Sequence, residues 1–460
     1  MESTASLTSK SFEPSRPWVI GAVLLCAVGT LGAVANSAGP RGDVGRAAGF
    51  ADMLRINPGV VSTGQAAVVA VVMVAGFAAL WWSVRRSWPW LLAAGVVLTI
   101  PTEIVYVVAR NALFGDAAWF YFGSVTAGAQ LVLLGTLAAG VRLVHIGAPG
   151  AGAVLIGTGV GIQVFGASTD VWIAHAGIAE PGGYPVDFAE AVQVLLHFAF
   201  LATAIGGALL ALGLHYRYDR RPELAAPSDA EPGMGVRTVI AGAVAALAFV
   251  PAAAMETVKG GFGVAACWLL LGAGLVAAAL AGIRAAVGVV VASAVVVGVS
   301  GPASALIQAE HSSFVRMWFL VGFGVVAGAA AAFPSWRRWA ALAGCAACAL
   351  TLAVTMLIRP DGMAVLMLAL LAATVTVAIA SLGVWLTQDG LSPAVLGPLM
   401  FATVIGACGL LADWQGTGRR GPNAELFREP GHLWLYTVLL LLAGLALVAL
   451  DHWRTRPAPD

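Results

Sequence analysis

GTGVGIQVFGASTDVWIAH (residues 157–175) is followed by the short loop AGIAEPGGYPVDF (176–188) and then by AEAVQVLLHFAFLATAIGGALLALGLHY (189–216). Two apolar runs of this length around a Gly/Pro turn predict a hairpin of membrane-spanning helices, because about 20 apolar residues cross a hydrocarbon core about 30 Å thick. Read as a helix, Asp187, Glu190, Gln193 and His197 recur every three or four residues and form one polar stripe on an apolar rod. A rise of about 1.5 Å per residue sets His197 roughly 13 Å below Phe188, near mid-membrane. Ionisable groups at that depth are costly and mark functional positions.

The rest of the chain follows the same pattern. Of its 460 residues, 60% are apolar and 10% charged, and the mean hydropathy is +0.90. A soluble domain carries about 25% charged residues, so this composition predicts an all-α, polytopic membrane protein. The net charge of +1 offers no basic footprint for nucleic acid. The expected partners are membrane lipids and either a small-molecule solute or a lipid-linked substrate. All five cysteines (Cys26, Cys267, Cys345, Cys348 and Cys408) fall inside apolar runs, where they are expected to pack as small hydrophobes. The CxxC spacing of Cys345 and Cys348 lies within such a run, away from any aqueous reductant, and carries no redox expectation.

Apolar segments of membrane-crossing length begin after Pro17 and continue with centres near residues 72, 98, 131, 162, 203, 247, 272, 297, 323, 348, 374, 402 and 441. That predicts about 14 helices arranged as seven out-and-back hairpins. With the N-terminus inside, the inner segments hold 14 Lys and Arg residues and the outer loops ten, six of them in the two long outer loops. This asymmetry places both termini in the cytoplasm. The inner ends repeat a theme of aromatic residues beside arginine, as in WWSVRRSW and FPSWRRW, the pattern of interface anchors. Ala33-Val34-Ala35 has the form of a signal-peptidase site. The mixed charges Glu2, Lys10, Glu13 and Arg16 ahead of the first span favour an uncleaved helix.

The predicted organisation is a cytoplasmic segment over 1–16, a six-helix bundle over 17–215, a linker over 216–237, an eight-helix bundle over 238–450 and a cytoplasmic tail over 451–460. The linker, YRYDRRPELAAPSDAEPGMGVR, is charged and rich in Pro, Ala and Gly. Asp170 and Trp172 ahead of His197 are echoed by Asp413 and Trp414 ahead of His432, which fits an internal repeat or a shared hairpin design equally well.

Charged groups within the spans concentrate towards the outer half: Glu103 and Arg110, Asp170 and His175, Glu190 and His197, Glu256, Glu310, Asp413 and His432. Glu103, Tyr106 and Arg110 share one helical face, as do Ser300, Ser304, Gln308 and His311. Stripes of this kind need water, a partner or a substrate, although serine stripes also serve helix–helix hydrogen bonding. Pro101, Pro251, Pro302, Pro393 and Pro398 are expected to interrupt helical hydrogen bonding.

The leading functional expectation is a plasma-membrane transporter or permease for a small polar or cationic solute. Glu103, Asp170, Glu190, Gln193 and His197 are its expected substrate-binding or proton-coupling residues. Burial penalises the charged forms of carboxylate and imidazole alike, which brings such groups towards proton exchange near neutral pH. The alternative is a membrane-embedded enzyme acting on a lipid-linked substrate at the extracytoplasmic face, with Asp43 and Asp52 as acids or bases and Arg419 and Arg420 as phosphate binders. No cofactor is named by the sequence. The candidate metal ligands are His175, His197, His311 and His432. Asp170 and His175 stand about 140° apart on a helix and cannot share an ion there, and no HExxH motif occurs.

GLLADWQGTGRRG (409–421) resembles the G-x-L-A-D-x-x-G-R-R loop of the major facilitator superfamily of transporters through Gly409, Asp413, Arg419 and Arg420. It departs from that loop by two extra residues before the arginines. The family's loop is cytoplasmic and follows the second or eighth helix, whereas this stretch falls on an outer loop after the thirteenth span. The match is therefore read as coincidence, and no mechanism is carried over from it.

Overall fold

The computed structural model describes residues 58–108, 118–145, 235–259, 264–283 and 285–290, with short helical pieces at 152, 155–156, 205–209, 211–213, 398–399, 402–403, 439, 442–443, 445–447, 449–450 and 453–454. Five long helices stand out: α1 (Pro58–Trp82), α2 (Val84–Val108), α3 (Ala118–His145), α4 (Val236–Lys259) and α5 (Val264–Ala281). They coincide with the apolar segments centred near 72, 98, 131, 247 and 272. Among the described residues, four helices are long and apolar enough to cross a membrane. In α2 the uninterrupted apolar part is shorter, Arg86–Ile100. The full number of spans and the sidedness of the termini rest on segments outside the described residues.

Ser83 alone separates α1 from α2. Its hydroxyl accepts a hydrogen bond from the Arg86 backbone N–H at 3.3 Å, as an N-capping serine does, and the Ser87 hydroxyl donates to the Ala79 carbonyl at 2.7 Å. Two helices thus turn within one residue, in the WWSVRRSW stretch that the sequence reading assigns to an inner end. Trp81, Trp82 and Trp90 are exposed there, at the level suited to the headgroup region. The break after α5 uses Gly282 at φ 100°, a left-handed conformation that a side chain would strain.

Pro101 and Pro251 lie within their helices rather than at an end: α2 runs on to Val108 and α4 to Lys259. Proline removes one backbone donor, but in a membrane bundle neighbouring helices can support the surrounding turns.

Close backbone approach sets the packing around α3. A Cβ on Gly128 would lie 2.6 Å from the Gly95 carbonyl oxygen, and one on Gly135 would lie 2.7 Å from Leu92 Cγ. On the other flank, Gly123 meets Val68, Gly64 meets Trp119, and Gly76 meets Leu131 and Leu134. These pairs fix the register. Positions 64, 68 and 76 rise together with 119, 123 and 131, so α1 and α3 run parallel, whereas 95 pairs with 128 and 92 with 135, so α2 and α3 run antiparallel. Small residues at such crossings let helices gain dispersion contact where lipid offers no hydrophobic drive for association.

α4 packs along α1 and against α5. Ala248 and Ala252 of α4 form a buried cluster with Ala266 and Leu270 of α5 and with Ala402. Gly274 of α5 accommodates Thr403, whose hydroxyl is turned onto the Leu399 carbonyl at 2.8 Å. Cys267 is buried in α5, in the packing position expected from its apolar surroundings.

Candidate functional site

The wedge between α1, α2 and α3 holds buried polar side chains. Gln65, only 1% exposed, donates from Nε2 to Thr126 Oγ1 at 3.2 Å and so ties α1 to α3. A lone amide in an otherwise apolar span is costly unless paired, and the Thr126 hydroxyl provides one partner. Ser124 stands two residues earlier on α3. Two residues turn a helix by about 200°, so Thr126 serves the α1 flank while Ser124 joins Gly128 and Gly135 on the α2 flank. Ser124 is 1% exposed, and its Oγ has no hydrogen-bond partner among the described residues.

Two further buried hydroxyls are satisfied locally. Thr99 donates to the Val96 carbonyl at 2.7 Å and Thr136 to the Val132 carbonyl at 2.8 Å. Thr99 therefore turns its methyl group towards Gly128 and contributes packing at the crossing. Such back-bonding engages the hydroxyl's proton and leaves its oxygen only as an acceptor.

Depth follows from the register. Gln65, Ser124, Thr126 and Thr99 all lie between the Gly95–Gly128 crossing and the ends of the helices remote from Ser83. In the sequence-derived topology that is the outer half. Trp119, Phe120 and Tyr121 mark the corresponding end of α3, with edge-to-face rings 6.0 and 5.9 Å apart. These aromatic groups suit the membrane–water boundary.

Of the residues predicted to bind substrate or couple protons, Glu103 lies on α2, one turn beyond Thr99. Asp170, Glu190, Gln193 and His197 lie outside the described residues, as do the metal candidates His175, His197, His311 and His432. The same is true of the enzyme candidates Asp43, Asp52, Arg419 and Arg420, and of Cys345 and Cys348. Among the described residues, no three His, Cys, Asp or Glu side chains gather as a metal site. The sequence reading missed Gln65, Ser124 and Thr126. A single amide within GQAAVVAVVM was a signal available for Gln65, whereas serine and threonine are too common in membrane helices to stand out.

No family model matches the chain, and no curated protein matches it. Solved structures do. The human organic anion transporter MFSD10 (TETRAN) aligns with a TM-score of 0.53 at 13% identity, over 95% of this chain and 100% of its own. The proton:xylose symporter XylE, a major facilitator superfamily protein solved with 6-bromo-6-deoxy-D-glucose, aligns with a TM-score of 0.54 at 13% identity, over 96% of each chain. Identity this low carries the fold and nothing finer. The short 409–421 motif, set aside as coincidence, resembles the same superfamily, although its residues lie outside those described. Over nearly the whole length of the chain the likeness to these two solved transporters is one of fold, an all-helical, multi-pass membrane architecture.

Proposed function

We propose that the protein is a plasma-membrane transporter for a small polar or cationic solute, with Glu103, Asp170, Glu190, Gln193 and His197 forming its binding and proton-coupling groups. The observation that carries this reading is the whole-length likeness to transporter folds. The polar layer inside the outer half of the α1–α2–α3 wedge adds support, since buried Gln, Ser and Thr beside a carboxylate-bearing turn suit a polar ligand better than lipid. One structural neighbour is described as a sugar symporter and another as an organic anion transporter, so a substrate screen begins with sugars and includes organic anions and cations.

The test is uptake by the purified protein in liposomes under an imposed pH gradient, with internal pH followed by a trapped dye. Solute-dependent proton movement that is lost in Glu103→Gln and His197→Leu, both retaining the wild-type melting temperature, is the expected result. Absence of uptake across sugars, anions and cations by folded protein would overturn the reading. For a structural role at His197 the signature differs: activity per folded molecule persists while the melting temperature falls.

The fourteen-span arrangement, with six helices before the 216–237 linker and eight after it, belongs to the same proposal. Single cysteines at Ser228 and Thr417 in a cysteine-free background should label from opposite sides of intact cells, the second from outside. Equal external labelling would defeat that topology.

A further inference from the structure

Arg86 stands in the first turn of α2 with its side chain exposed. Counting along the helix from it, Trp90, Ala94 and Val97 fall within about 80° of arc. All three are exposed, Trp90 by 53% and Val97 by 60%. Leu92, Gly95 and Thr99, which meet α3, lie about 180–240° round, on the opposite side of the helix. The exposed stripe therefore faces away from the wedge, towards lipid. Its order matches that of a phospholipid. The charge comes first, an indole ring follows about 6 Å further along, and apolar side chains continue to Val97, about 17 Å from Arg86 and near the middle of a hydrocarbon core about 30 Å thick. Trp82, 81% exposed at the end of α1, flanks the charged end.

We propose that this stripe binds one anionic phospholipid: the Arg86 guanidinium holds the phosphate, Trp90 packs at the glycerol level, and an acyl chain lies along Ala94 and Val97. A guanidinium presents a planar fork of N–H donors that matches two phosphate oxygens, and it stays charged at any working pH. Nothing nearby in the chain neutralises it. There is no acidic residue between Asp52 and Glu103, and the described side chains include no Asp or Glu. An arginine in the first turn also opposes the positive end of the helix dipole, and α2 has no acidic residue there to offset it. A bound phosphate relieves both. The exposed face of α5 makes the contrast: it presents Trp268, Leu275 and Val276, with no basic residue from Val264 to Ala281, so it offers acyl chains a surface without selecting a headgroup. In the sequence-derived topology the Arg86 end is cytoplasmic, the side on which anionic lipids give a membrane its negative surface potential. The site is independent of which solute the protein carries.

The experiment measures which lipid lies beside the stripe. A bimane fluorophore on Ala94→Cys, in the cysteine-free full-length protein reconstituted into mixed phosphatidylcholine–phosphatidylglycerol bilayers, is quenched by lipid with brominated acyl chains. At equal mole fraction, brominated phosphatidylglycerol should compete for this position about fivefold better than brominated phosphatidylcholine, the factor equivalent to about 1 kcal/mol for one arginine at an anionic surface. Arg86→Gln should abolish the preference, and Arg86→Lys, which keeps the charge without the fork, should retain part of it. The same label on Leu275→Cys in α5 should show no preference. A preference unchanged in Arg86→Gln, or equally strong at position 275, would overturn the site. So would its loss in millimolar inorganic phosphate, which would make a free anion the ligand in place of lipid. The position-275 and phosphate comparisons keep Arg86 intact, so they decide the matter even where Arg86→Gln fails to fold.

Discussion

α3 and α5 are both membrane-length helices, yet 88% of the spanning window of α3 is buried in the protein and only 28% of that of α5. The more buried helix is also the less apolar. In a soluble domain the order would be reversed, because water drives the most hydrophobic segments inward. In a bilayer the lipid is as apolar as leucine, so hydrophobicity marks what faces the chains of the lipid and small or polar residues mark what faces protein. α5 accordingly presents Trp268, Leu275 and Val276 outward, whereas α3 buries Ser124, Gly128, Gly135 and Thr136.

The sharpest way to break this contrast is to place the same substitution in both helices. Gly128→Ala puts a methyl group 2.6 Å from the Gly95 carbonyl oxygen, a backbone atom that cannot swing aside. The expected cost is about 3 kcal/mol, read as a large drop in melting temperature or failure to accumulate. Gly272→Ala in α5 meets nothing within 4 Å and should instead leave stability unchanged or raise it by about 0.5–1 kcal/mol through helix propensity. Equal effects at the two sites would show that the α2–α3 crossing is looser than its register implies.

Smaller effects sharpen the polar side of the comparison. A double-mutant cycle on Gln65→Leu and Thr126→Val should give a coupling of about 1 kcal/mol by thermal unfolding, in the range of interhelical hydrogen bonds within membranes. Additive values would remove the α1–α3 tie. Ser83→Ala takes the cap from the start of α2 and should cost about 1 kcal/mol, whereas Ser83→Asp retains an acceptor and should cost less. Leu275→Ala, on the exposed face of α5, should change the melting temperature least, by less than about 0.5 kcal/mol in stability. A large loss there would mean that this face is covered by protein.

Helical class and the placing of the five long helices were legible because both follow from local properties. A span needs only length and apolarity, and the segments centred near 72, 98, 131, 247 and 272 have both. The break between α1 and α2 was readable for a similar reason, since Trp and Arg cluster around it at the level of a membrane interface. Glu103 stood out because any carboxylate within a span is exceptional. Gln65 and Thr126 did not emerge as a pair, being 61 residues apart on helices that the sequence alone does not pair.

The amino-acid sequence by itself determined that this chain lives in a membrane and where these helices run. Backbone hydrogen bonds must be satisfied within each span, so helix formation is written locally. Tertiary structure alone decided which helix is central and which glycines are crossings rather than filler. Those outcomes depend on contacts between residues far apart in the chain. In lipid such contacts arise from close fit and hydrogen bonding, and neither leaves a periodic mark in the sequence strong enough to read.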